Sequence, residues 1–318
     1  SIVEMNGVAN DDLYFNVSGY DLIVTDTATG EYLTLKNQFY YTNYGYEFAS
    51  VNGMDITNGL TVKGTSATAA ETLKGGNSAD IILAQSGDDT AYGGDGNDTI
   101  YGGTGNDILI GDTGVDTFIH EVGDGNDILH GHTLNHTHTN DLSIVEMNGV
   151  ANDDLYFNVS GRDLIVTDTI NNESLTLKNQ FYYTNYGYEF ASVNGIDVTG
   201  GLLIRGTSAT DGEALHGTVN ADTIEGGLGA DILTGYAGND IFAFADVAES
   251  TTTETDIITD FAMGSDVIDL SAIASIDELS DITISQSGGS TFVDDNGSDF
   301  RIQITGSQSL TASDFAFV

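Results

Sequence analysis

From Gly93 to Ile110 the chain reads GGDGNDTIYGGTGNDILI, two consecutive copies of a nine-residue unit with glycine first, second and fourth and aspartate sixth. Weaker copies lie on both sides. The first six residues of such a unit must bend sharply back, which calls for glycines at positive φ, and the last three form a short strand with one apolar residue pointing inward. Two units make one coil, so residues 18 apart stack at the strand spacing of about 4.8 Å. A turn presenting carbonyls and one carboxylate, stacked on another that does the same, surrounds a hard cation with about six oxygens. That donor set suits Ca²⁺.

The register places Asp80, Asp89, Asp98, Asp107 and Asp116 at the sixth position of the first block. Glu71 stands one step before, and Asp127 follows a two-residue insertion at His120 and Glu121. Ile82, Ala91, Ile100, Leu109 and Phe118 are expected to point inward. A second, shorter block repeats the pattern at Asp222, Asp231 and Asp240, with Ile224, Leu233 and Phe242 inward. One face is therefore apolar and the turns are acidic.

This pattern resembles the C-terminal region of RTX (repeats-in-toxin) proteins exported by type I secretion. The resemblance implies a calcium ion between each turn and the turn 18 residues on, held by carbonyls of the second and fourth positions of one turn, by those of the first and third positions of the other, and by the two aspartates. Carried onto this sequence, Gly94, Gly96 and Asp98 would hold one ion with Gly111, Thr113 and Asp116. Gln85, Gly87 and Asp89 would hold another with Gly102, Thr104 and Asp107. The remaining implied ligands of the first block are Gly76, Ser78, Asp80, Gly93, Asp95, Gly103, Gly105 and Asp127. Those of the second are Thr218, Asn220, Asp222, Gly226, Leu228, Asp231, Gly235, Ala237 and Asp240. Ser78 stands where the family has glycine, Ala84 and Gln85 replace both leading glycines, and Thr218 and Asn220 are further departures, so the outermost sites are expected to be weak or empty.

Composition agrees. The 318 residues carry 49 Asp and Glu against 7 Lys and Arg, a formal net charge of −42, with 40 Gly and neither Pro nor Cys. Such a chain repels itself until cations neutralise it, so the calcium-free form is expected to be expanded. Scarce cytosolic and abundant extracellular calcium would then keep it unfolded for export and fold it on arrival. A disulfide framework is ruled out by the absence of Cys. No segment approaches the roughly 18 apolar residues of a membrane helix, no signal peptide opens the sequence, and the charge excludes nucleic acid as a partner.

A longer repeat organises the chain. Residues 1–66 recur at 143–208, both beginning SIVEMNGVANDDLYFNVSG and differing at about a dozen positions, such as Tyr20 against Arg162 and Met54 against Ile196. Each copy is an extender module followed by a nonapeptide block. The first copy lacks the lead-in Asn140-Asp141-Leu142 and an initiator Met, which suggests a piece of something longer with further copies upstream. Alternating strands are expected at 13–17, 21–25 and 32–35, with turns at Ser18-Gly19 and Thr29-Gly30. The extender resembles the module associated with haemolysin-type calcium-binding blocks, implying a short antiparallel sheet that continues the roll and covers its open edge.

Tyr40, Tyr41, Tyr44 and Tyr46, returning as Tyr182, Tyr183, Tyr186 and Tyr188, could stack on sugars of a cell-surface glycan, but packing in the module core is the favoured reading. His120, His130, His132, His136 and His138 crowd the link after the first block, and the two HxH pairs could chelate Zn²⁺ or Ni²⁺. A polar loop that simply tolerates histidine is the favoured alternative. Asp124 stands where an HExxH motif would need its second His, and no GxSxG, P-loop or Cys nucleophile is present. No catalytic machinery is expected.

After Phe242, residues 256–271 resemble the capping segment that ends RTX regions, where Asp260 and Asp266 could ligate one more ion. Residues 310–318 look like an uncleaved type I secretion signal that could also dock as a final strand. The expected fold is all-β: extender 1–63, β-roll 64–130, His-rich link and second extender 131–204, β-roll 205–243, cap and secretion signal 244–318. Both rolls are expected to be parallel and right-handed. The expected function is a non-catalytic, secreted, calcium-binding module at the end of a bacterial surface adhesin. The rival is the accessory tail of a secreted epimerase, lipase or protease, or of a pore-forming toxin.

Overall fold

The computed structural model describes residues 2–9, 13–18, 21–26, 28–29, 31–36, 38, 50–51, 54–64, 68–132, 141–181, 189–206 and 210–318. It is all-β, apart from short 3₁₀ turns. The chain forms two compact units, Ser1–Asn152 with Ile170–Thr199 and Asp153–Thr169 with Gly200–Val318. The second extender copy is thus shared: its first and last strands group with the roll before it, and the hairpin between them with the roll after it.

In the first unit the nonapeptide period becomes two parallel ladders. One runs through Thr61–Lys63, Ile81–Leu83, Thr99–Tyr101, Thr117–Glu121 and Ser143–Asn148, with Ile81↔Thr99↔Thr117 in register. The other runs through Thr72–Lys74, Thr90–Asp95, Ile108–Thr113, Asp127–His130 and Glu173–Leu177. Alternation then decides the core. Val62, Ile82, Ile100, Phe118 and Val145 face Leu73, Ala91, Leu109, Leu129 and Leu177, and none is more than 2% exposed. Each aliphatic side chain buried this fully contributes about 1.5–3 kcal/mol. The outward neighbours Ile81, Ile108 and Ile128 remain exposed.

The second unit repeats the design. Leu203–Arg205, Thr223–Glu225, Ile241–Ala243, Val267–Asp269 and Phe315–Ala316 form one ladder. Ala214–His216, Ile232–Thr234, Asp256–Ile258 and Arg301–Thr305 form the other, which closes in an antiparallel meander with Ser290–Asp295 and Ile282–Ser287. Residues 256–269, expected as a cap, supply a further coil of the roll, with Ile258, Ile268 and Leu270 fully buried. The last residues dock as a strand on that coil, where Asp314 accepts the Gly264 N–H at 3.0 Å.

Both rolls start on the same device. The hairpins Leu13–Ser18/Asp21–Asp26 and Leu155–Ser160/Asp163–Asp168 each pair one strand with the first ladder, Phe15↔Val62 and Phe157↔Ile204. An asparagine of the same strand serves the other ladder. The Asn16 carboxamide donates to Thr72 O at 2.9 Å and accepts from Lys74 N at 2.7 Å, and Asn158 does the same to Ala214 O at 3.1 Å and His216 N at 3.0 Å. One side chain thus satisfies an edge that would otherwise expose its backbone groups.

Candidate metal centre

The turns between strands stack their aspartates into columns. The backbone N–H of each aspartate donates to Oδ1 of the aspartate one coil further along: Asp80 to Asp98 at 2.7 Å, Asp98 to Asp116 at 2.9 Å, Asp89 to Asp107 at 2.7 Å and Asp107 to Asp127 at 2.9 Å. In the second unit Asp222 donates to Asp240 at 2.9 Å and Asp231 to Asp256 at 2.8 Å. All these carboxylates are nearly or fully buried.

What distinguishes the columns is the second oxygen. Oδ2 of Asp89, Asp98, Asp107, Asp116, Asp231 and Asp256 is buried without any hydrogen-bond donor. A buried carboxylate oxygen left bare costs several kcal/mol, on the order of 1–3 for a neutral polar group and more for a charge. Something positive belongs beside it. The space is made by the leading glycine of each unit, because a Cβ on Gly93, Gly102 or Gly111 would collide with Oδ2 of Asp98, Asp107 or Asp116. Gly96, Gly105 and Gly114 adopt φ of +127°, +146° and +126°, where a side chain would strike the preceding turn. Among the described residues no three His, Cys, Asp or Glu side chains converge. An ion held here would therefore draw on one carboxylate oxygen per turn and on turn carbonyls, a hard-oxygen set that fits Ca²⁺ and not a soft metal.

Burial raises the carboxyls. Asp98 and Asp256 are pushed up to about 8, Asp107 to about 7, and Asp80, Asp116, Asp231 and Asp240 to about 6, with desolvation the main cause in each. Neighbouring aspartates add to it, Asp116 and Asp80 around Asp98 foremost. Near neutrality Asp98, Asp107 and Asp256 are therefore divided between protonated and ionised forms, and a cation there competes with the proton.

Three positions depart from the expected set, and the rest share one restriction. Oδ2 of Asp80 accepts the Gly76 N–H, and Oδ2 of Asp222 accepts the Thr218 N–H and hydroxyl, so the first carboxylate of each roll is satisfied from its own turn. Asp127 spends Oδ1 on Asp107 N and Oδ2 on His120 Nδ1 at 3.0 Å. The inserted His120, buried, with Nε2 3.6 Å from Glu173, fills the place of a cation there. Finally, each of the remaining column aspartates commits Oδ1 to a backbone N–H, leaving at most one oxygen for an ion. The other implied ligands, from Gln85, Gly87, Gly94, Asp95, Gly103, Thr104 and Thr113 to Asn220, Gly226, Leu228, Gly235 and Ala237, lie in the stacked turns. There Gly94↔Asp112 and Asp95↔Thr113 continue the strand register through the turn.

Two column members escape the nine-residue register. Asp256 is fully buried with Oδ2 bare, and Asp266 accepts the Asp240 N–H at 3.1 Å. Their signal in the sequence is Asp followed by an apolar strand, Asp256-Ile-Ile and Asp266-Val-Ile, reached after steps of 25 and 26 residues. Asp260 instead accepts the Gly235 and Tyr236 N–H groups. His132 Nδ1 lies 3.1 Å from Glu189, while His136, His138 and both tyrosine segments except for their flanks fall outside the described residues.

The family model described as the RTX calcium-binding nonapeptide repeat matches residues 67–99, 83–118 and 216–245, which include the column aspartates from Asp80 to Asp116 and from Asp222 to Asp240. The chain carries RTX calcium-binding repeats. No curated protein sequence is significantly similar to it. Among solved structures this chain is similar to the extracellular lipase LipA from Serratia marcescens, at 16% identity and a TM-score of 0.27. The similarity covers 76% of this chain and 45% of that one, so the match spans less than half of the lipase. The RTX repeats bind several Ca²⁺ ions, and no helix among the described residues is long and apolar enough to cross a membrane.

Proposed function

We propose that this chain is a non-catalytic module that stays unfolded during export through a type I secretion apparatus and folds outside the cell when calcium enters its aspartate columns. The observation that carries this reading is the row of buried, donorless Oδ2 atoms, which make the rolls unstable at neutral pH until a cation arrives. Binding free energy then acts as folding free energy. The ions are placed at Asp89, Asp98, Asp107, Asp116, Asp231 and Asp256, with the glycine-rich turns supplying carbonyls. The parent is a secreted or surface-attached bacterial protein, an adhesin in our reading, in which extender and roll alternate as a stalk. A glycan ligand at the tyrosine segments is testable on a glycan array.

With EDTA at pH 7.5 the circular dichroism should be that of a largely disordered chain. Millimolar Ca²⁺ should give a β spectrum and a sharp fall in hydrodynamic radius, and Mg²⁺ should not, since it demands tighter octahedral geometry. A compact, β-rich protein in EDTA would refute the reading.

A further inference from the structure

Two nearly identical extenders sit in different surroundings. In the second copy, Ser143–Asn148 lies parallel to Thr117–Glu121, with Thr117↔Ile144, Phe118↔Val145 and His120↔Met147 in register, and Glu173–Leu177 lies parallel to Asp127–His130 with Leu129↔Leu177. The seat is anchored from both sides: Ile144 N donates to Asp116 O and Lys178 N to Leu129 O, both at 2.8 Å. The Glu173 carboxylate accepts the Gly123 N–H at 3.0 Å. Val145 and Leu175 are fully buried there, and Met147 is 2% exposed.

The first copy keeps the rest of this arrangement. Ile2–Val3 pairs with Ser50–Val51 in the register of Ile144↔Ser192 and Val145↔Val193, and Tyr32–Leu35 pairs with Asp21–Asp26. Among the described residues both strands nevertheless end their sheets, on the side where the second copy meets a coil. Val3, Met5 and Leu33, counterparts of buried residues, are half-buried, Ile2 is 70% exposed, and Tyr32, which replaces Ser174, is 72% exposed. Two apolar, exposed strand edges in one module are what a sheet ordinarily avoids.

We propose that the outer edges of Ile2–Val3 and Tyr32–Leu35 form a docking surface for the last coil of another nonapeptide roll. That coil's two strands enter parallel, with apolar residues at the places of Phe118 and Leu129. The extender is on this view a two-sided coupler: its hairpin starts one roll and its outer strands finish another. The occupant follows from the identical sequence SIVEMN being seated in that way at residues 143–148. The inference goes beyond the calcium-dependent function, and its test is run at saturating calcium so that the two stand or fall separately.

The experiment is a lengthened chain in which a further copy of residues 1–142, bearing Tyr32→Phe, precedes Ser1. The three extenders then give distinct peptides over 31–36, EFLTLK in the added copy, EYLTLK in the original first copy and ESLTLK at 173–178. By hydrogen exchange with mass analysis, EYLTLK should exchange at least tenfold more slowly than in the unlengthened chain and approach ESLTLK, while EFLTLK stays fast. EYLTLK exchanging as fast as EFLTLK would overturn the proposal, as would an added roll that remains unprotected. If 31–36 in the unlengthened chain is protected in proportion to protein concentration, the edge takes a second copy of itself, and the proposal fails in that way too.

Discussion

The two rolls end differently. At the far end of the first, Asp116 N donates to the Ser143 hydroxyl at 3.3 Å, and Asp127 is matched by the buried His120. At the far end of the second the acid continues: Asp240 N donates to Asp266 and Asp231 N to Asp256, whose other oxygen has no donor. Asp256 N in turn donates to the Ser250 hydroxyl at 2.8 Å, so one column of each roll ends on a neutral hydroxyl, while the other ends on the His120 base in the first roll and on Asp266, whose Oδ2 accepts the Ala262 N–H at 2.7 Å, in the second. The difference teaches that the last carboxylate of a column can be satisfied inside the chain, by a base or by a turn N–H, whereas Asp116 and Asp256, bare at Oδ2, call for an outside cation in both rolls.

The largest effect should come from calcium withdrawal. On titration with a chelator at pH 7.5, amides of 231–258 should lose protection before those of 121–130, where the column closes on His120, and Asp256→Asn should narrow that gap by removing an uncompensated charge. Simultaneous loss in both variants would erase the proposed asymmetry. The pH response comes next. The folded-state carboxyls of Asp98, Asp107 and Asp256 stand near 8, 7 and 8, above the ordinary carboxylate value of 3.8. Groups raised in this way add stability that is complete below about pH 4 and is lost as pH rises through 7 and 8. In EDTA, acidifying from pH 8 to 5 should therefore restore part of the β signal, and calcium affinity should fall over the same range as protons compete. A flat signal across that window would count against the buried columns.

His120→Ala should weaken the first unit alone by about 3 kcal/mol, the cost of leaving one partner of a buried pair, and adding Asp127→Asn should recover much of it. Denaturant unfolding in calcium reads both, and equal loss in the second unit would contradict the assignment. The smallest effect is expected from Thr218→Ala, which removes one hydroxyl donor from Asp222 at about 1 kcal/mol. It should be seen in the second unit only.

Much of this was legible. The glycine and aspartate period gave the 18-residue step between Ile82, Ile100 and Phe118, because parallel stacking leaves a coil no freedom of length. Asp256 was harder to see, because the insertion of 244–255 breaks the period and only the closed fold returns it to the column. His120 read as one histidine among several in a polar link, since nothing in sequence tells an inserted side chain which carboxylate it will fold against. The repeat marked 143–208 as one module, yet Ser143–Asn148 and Leu155–Ser160 serve different rolls, a division set by long-range pairing that periodicity does not encode.

The hydrogen bonds from each aspartate N–H to the next aspartate Oδ1 all run one way, from a coil to the coil that follows it in the chain. The column therefore has a polarity, and its two ends need different partners. At the head a carboxylate oxygen is left for a foreign N–H, which Leu60 gives to Asp80 and Leu202 to Asp222. At the tail an N–H is left over and finds a hydroxyl, Ser143 for Asp116 and Ser250 for Asp256. A roll can thus be lengthened at either end only by a segment that brings the matching half of the bond.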